Sequence, residues 1–104
     1  MTILVNGERG GRLDPGDRGL QFGDGVFETV RLAAGLPVLW DRHWARLRRG
    51  LEGLAIPLPR EQDCLDDLRA AAEFPQALAK LIVTRGTGPR GYAIPEQVRP
   101  TRIV

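Results

Sequence analysis

The chain has 104 residues, 15 basic and 13 acidic groups and a formal net charge of +2. That length accommodates one small domain with a modest core, and no apolar run approaches the roughly 20 residues that a membrane-spanning helix needs. All but one of the basic residues are Arg, and Lys80 is the single Lys, so planar, permanently charged forks are plentiful while only one side-chain amine could attack a carbonyl.

One cysteine, Cys64, and one histidine, His43, leave no intramolecular disulfide and argue against a zinc site built by the protein. The arginines are interspersed with acids instead of clustered, so no nucleic-acid partner is expected. The opening Met1-Thr2-Ile3-Leu4-Val5 has neither a basic leader nor a cleavage site, and the expectation is a cytoplasmic protein without a membrane partner.

In chain order, the apolar run Thr2 to Val5 meets Asn6-Gly7, a strong hairpin signal. Asp14-Pro15-Gly16-Asp17 is turn chemistry, and the glycine-punctuated stretch Gly19 to Gly25 reads as an ordered loop. Val26 to Leu32 alternates, with Val26, Glu28, Val30 and Leu32 on one face and Phe27, Thr29 and Arg31 on the other, which predicts a strand. Ala33-Ala34-Gly35 turns it into a second strand, Leu36 to Trp40.

Asp41 is the expected N-cap of a helix whose stripe is Trp44, Leu47, Leu51 and Leu54; Gly50 and Gly53 weaken its end and Pro57 and Pro59 close it. A second helix is expected from Pro59 or Arg60, with Cys64, Leu65, Leu68, Ala71 and Ala72 on one face, Asp63, Asp66 and Asp67 elsewhere, and Pro75 as its stop. Leu78 to Thr84 predicts a strand, the following Gly/Pro-rich segment a structured loop, and Thr101 to Val104 a last strand. The fold expected is α+β, a small antiparallel or mixed sheet with two flanking helices in one domain spanning 1–104.

Several residues invite chemistry, each with a plain alternative. Gly23-Asp24-Gly25 either lets backbone approach a ligand or simply turns. Arg46, at the margin of the helical stripe, either reaches an anion or pairs with a nearby acid. Arg85, Arg90 and Tyr92 lie in a glycine-rich segment after a strand, which suits either a carboxylate or phosphate clamp or an ordinary hairpin. His43 has no evident partner and is read as packing or capping near the helix start, Lys80 as solvent-facing, Cys64 as a small core residue, and Trp40 and Trp44 as core or interface.

The combination is more specific than its parts. The block from Asp17-Arg18-Gly19 through Gly23-Asp24-Gly25 and Phe27-Glu28-Thr29 to Arg31, then His43-Trp44-Ala45-Arg46-Leu47, then Thr84-Arg85-Gly86-Thr87-Gly88-Pro89-Arg90-Gly91-Tyr92, resembles the class IV aminotransferase family. The likeness covers nearly the whole chain. It implies the small N-terminal domain of a fold-type-IV enzyme that uses pyridoxal phosphate. Within the family these blocks are most similar to the aminodeoxychorismate lyase branch, whose reaction eliminates pyruvate from 4-amino-4-deoxychorismate and leaves 4-aminobenzoate for folate synthesis.

By the same resemblance, Arg46 would hold the cofactor phosphate, while Phe27, Arg90 and Tyr92 would meet the substrate. Tyr92 stands where D-amino acid aminotransferases tend to carry His, and Phe27 where they tend to carry Tyr, which favours the lyase. D-amino acid or branched-chain aminotransferases, and a non-catalytic module derived from the family, are the alternatives. The family's Schiff-base lysine lies well beyond the last block, in a second domain, so Lys80 does not match it and no catalytic residue is assigned to this chain. A homodimer is the expected assembly, and an apolar face left by the second domain would favour poor solubility or self-association.

Overall fold

The computed structural model describes residues 1–89 and 91–104. Its strands are β1 (Leu4–Val5), β2 (Glu8–Arg9), β3 (Gly25–Ala33), β4 (Leu36–Pro37), β5 (Ala77–Thr84) and β6 (Thr101–Ile103), and its helices α1 (Arg18–Phe22), α2 (Trp40–Leu54) and α3 (Glu61–Ala71). They form a six-stranded sheet in the order β2-β1-β6-β5-β3-β4, with every pair antiparallel. The expected α+β sheet with two longer helices is present. Among the described residues no helix is long and apolar enough to cross a membrane.

The alternation of β3 decides which face is covered. Val30 and Leu32 on one face pack with Leu81 and Val83 of β5 against Leu47 and Leu51 of α2 and Cys64 and Leu68 of α3. The next residues along face the other way: Phe27 opposes Ile82, Thr29 opposes Lys80 and Arg31 opposes Leu78. Phe27 and Leu78 are exposed there, at 59% and 75%. One face of the sheet is therefore roofed by helices and the other is bare.

Five local readings are corrected. The stretch read as a loop contains α1, one short helical turn. Asp17 caps it by accepting from the Gly19 amide, and Gly23 closes it at φ 66°. Gly19 is inside the turn because a Cβ there would sit 2.2 Å from Thr84 Cγ2, so only glycine lets α1 lie against β5. The second strand of the hairpin stops at Pro37, since Leu39 takes a left-handed conformation, φ 57°, and the helix begins at Trp40.

Leu39, not Asp41, is consequently the N-cap of α2; Asp41 lies in the first turn, where a carboxylate faces the positive end of the helix dipole. The apolar stripe of α2 is buried only as far as Leu51, with Leu54 exposed at 38%. Asp67, placed away from the buried face of α3 by pattern, is itself buried. It accepts from Arg102 Nε of β6 at 2.8 Å, which makes burial of its charge tolerable. Cys64 is fully buried, and desolvation pushes its thiol up to about 12.

Candidate active site

Glu28 is the residue from which the site is built. It sits on the covered face of β3 between two apolar positions and is 3% exposed. Helix α2 crosses this strand and brings Arg46 and His43 to it. Arg46 donates Nε to Glu28 Oε1 and Nη2 to Oε2, both at 2.6 Å, a two-point fork on a carboxylate. His43, one turn earlier, places Nδ1 2.9 Å from Oε2. The hydrogen bond from Arg46 draws the Glu28 carboxyl below its usual range, outweighing the opposing effect of burial, and His43 adds to it.

Only one side of Arg46 is engaged. Its side chain is 66% exposed and borders a cavity of about 440 Å³ together with Leu39, Arg42, His43, Ala45 and Arg49. The site thus offers a guanidinium whose direction is set from below by a buried acid and whose outer edge faces solvent among further arginines. Such a group suits a phosphate: the donors are planar, permanently charged and held before the anion arrives.

A second carboxylate node lies four residues upstream. Asp24 Oδ2 accepts from Arg18 Nε at 2.9 Å and from Arg85 Nε at 2.8 Å. Burial alone would raise this carboxyl, but the hydrogen bonds and charges of Arg85 and Arg18 prevail and its pKa is lowered. Arg85 also donates Nη2 to the Leu54 carbonyl at 2.6 Å, at the C-terminal end of α2, where a cation satisfies free carbonyls and the helix dipole. The close approach at Gly23-Asp24-Gly25 is thus between protein segments.

The sequence-assigned residues are not gathered in one cavity. Arg46 is on the covered side of the sheet, whereas Phe27 projects from the bare face, lining a different cavity of about 370 Å³ with Leu20, Val26, Ile82 and Ile103. Tyr92, 84% exposed, packs its ring 5.0 Å from that of Phe22 in α1. Arg90 lies outside the described residues. Lys80 is exposed on the bare face, with Nζ 4.2 Å from the Phe27 ring centroid. Trp40 and Trp44 stack at 5.8 Å beside the core, as expected of them.

Residues 25–104 match the family model for amino-transferase class IV. The chain belongs to the class IV aminotransferase family. Members of this family use pyridoxal phosphate. Over 90 residues, 86% of the chain, it is 36% identical to an aminodeoxychorismate lyase of Vibrio harveyi, of which it covers 33%. It is also 36% identical over 100 residues, 88% of the chain, to a D-alanine aminotransferase of Bacillus licheniformis, covering 35% of it. The crystal structure of 4-amino-4-deoxychorismate lyase from Pseudomonas aeruginosa superimposes with a TM-score of 0.87 and 46% identity, over 97% of this chain and 37% of that one. The chain spans about a third of the length of these class IV relatives.

Neither carboxylate node was assigned from sequence. The signal for Glu28 was available, because a carboxylate on the apolar face of an alternating strand needs a hydrogen-bonding, preferably cationic, partner. His43, read as lacking a partner, shares that carboxylate with Arg46. Nothing local marks Asp24, whose partners lie 6 and 61 residues away.

Proposed function

We propose that the chain is the N-terminal part of a pyridoxal-phosphate-dependent lyase that eliminates pyruvate from 4-amino-4-deoxychorismate and releases 4-aminobenzoate for folate synthesis. The observation that carries this reading is Arg46: a guanidinium aimed by buried Glu28, with its free edge in an arginine-lined cavity. The residues fit the phosphate of the cofactor. Arg46 holds it, Glu28 fixes the fork, and Arg42 and Arg49 raise the local positive potential.

Pyridoxal phosphate, when bound, supplies an electron sink for bond breaking at the substrate's α-carbon. The chain's own contribution is binding and orientation. Phe27 forms an apolar wall, and Arg90 and Tyr92 receive the substrate carboxylates. On this reading a second domain supplies the lysine that bonds to the cofactor, and Lys80 takes no part. The intact enzyme is a cytoplasmic homodimer whose bare sheet face is covered in the assembly. The choice of lyase draws on Phe27 and Tyr92 and on the 46% identity to the Pseudomonas lyase. D-amino acid transamination is the second reading, drawn from the 36% identity to the Bacillus aminotransferase, the same as to the Vibrio lyase.

The test offers the intact enzyme 4-amino-4-deoxychorismate and, separately, D-alanine with 2-oxoglutarate. Release of 4-aminobenzoate and pyruvate is expected. Transamination without 4-aminobenzoate release overturns the lyase reading.

A further inference from the structure

Arg18 is 5% exposed, yet most of its hydrogen-bonding capacity is spent on the segment that follows β5. Nε is committed to Asp24. Nη1 donates to the carbonyls of Gly91, at 3.4 Å, and Ala93, at 3.2 Å, and Nη2 to that of Tyr92, at 3.2 Å. Three successive carbonyls and the Asp24 carboxylate thus converge on one guanidinium, four acceptors that its five N–H donors can serve and the three of an ammonium cannot.

The same side chain organises the aromatic contact. Its guanidinium carbon lies 4.9 Å from the Phe22 ring centroid, and Phe22 also contacts Tyr92, at 5.0 Å and tilted by 46°. The segment also passes close over the Arg18 stem: a Cβ at Gly88 would sit 3.3 Å from Arg18 Cδ and equally close to Pro95 Cγ. The backbone joins in, since the Arg18 amide donates to the Gly86 carbonyl at 2.9 Å. Among the described residues Arg18 is the one donor to the carbonyls of 91–93, and Tyr92 is 84% exposed.

We propose that Arg18 is a positioning residue for substrate recognition: it holds residues 91–93, and through Phe22 the ring of Tyr92, in the arrangement that receives a carboxylate-bearing substrate. The inference rests on reading this segment as the substrate-binding one. It assigns Arg18 and Phe22 no contact with the cofactor, because their links run to Asp24 and the segment and not to Glu28 or Arg46.

The test is made in the intact, cofactor-loaded enzyme with Arg18→Lys and Phe22→Ala. Arg18→Lys keeps the charge beside Asp24 but loses the fork; Phe22→Ala leaves the hydrogen bonds of Asp24 in place and removes the ring that touches both Arg18 and Tyr92. KM for the carboxylate substrate is expected to rise about tenfold in each, with kcat changed less than about twofold, as misplacement of a binding group requires. Pyridoxal phosphate affinity stays as in the parent, and hydrogen exchange of amides 91–94 accelerates. An unchanged KM despite faster exchange overturns the proposal, as does a parallel loss of cofactor affinity and global stability in both variants. Arg90→Ala separates the two levels: if it leaves KM unaltered, the substrate-binding reading of the segment fails on its own account.

Discussion

The two carboxylates of β3 and its approach, Asp24 and Glu28, are four residues apart and each meets two nitrogen-bearing side chains, but they end as different devices. Asp24 is enclosed by guanidiniums whose side chains are 6% and 4% exposed, so the whole node is interior. Glu28 is more deeply buried, 3% exposed against 12% for Asp24, but its principal partner Arg46 is 66% exposed. A buried acid with two buried cations joins segments. A buried acid with an outward-facing cation fixes the direction of a charge that remains free to meet a ligand.

The contrast is sharpest in stability. Asp24→Asn strands two nearly buried guanidiniums, and the loss expected is about 3–5 kcal/mol, read as a lower denaturation midpoint. Glu28→Gln lets Arg46 turn to water, and its loss is smaller, about 1–2 kcal/mol. Equal losses would break the distinction between joining and aiming.

Acid offers a second comparison. Both carboxyls are lowered in the fold from ordinary values of 3.8 for Asp24 and 4.5 for Glu28. Their stabilisation is therefore complete above those ordinary values and drains away as pH falls through the lowered ones. Unfolding followed from pH 6 downward should show stability falling below about pH 4.5, with a shallower fall in Glu28→Gln and a shallower one still in Asp24→Asn. A parent curve that stays flat to pH 2 contradicts the depressed carboxyls. The smallest effect concerns Cys64, whose thiol, pushed up to about 12 inside the core, should ignore a thiol reagent at pH 8 until the protein is unfolded. Prompt labelling of the native chain would disprove its enclosure.

How much of this was legible in the sequence follows the range of the interactions. The alternation Val26, Glu28, Val30, Leu32 and the stripe Trp44, Leu47, Leu51 are local periods, and both elements stand where those periods put them. Helix α1 escaped because five residues carry no period; its caps, Asp17 and Gly23, and the pressure of Thr84 on Gly19 define it instead. Arg46 drew notice as a lone helical arginine beside an apolar stripe, but its partner is 18 residues away on another element, and periodicity states faces, not partners. The Asp24 node joins three segments of the Asp17–Gly25 and Thr84–Tyr92 blocks, so both motifs had been read while the link between them had not.

We propose that Arg46 grips the cofactor phosphate and that Glu28 aims it; the affinities of pyridoxal phosphate and pyridoxal for the intact enzyme, for Arg46→Ala and for Glu28→Gln decide the matter. The phosphate form is expected to bind about tenfold to hundredfold more weakly to Arg46→Ala and somewhat more weakly to Glu28→Gln, with little change for pyridoxal in either. Pyridoxal phosphate bound as tightly by Arg46→Ala as by the parent would contradict it.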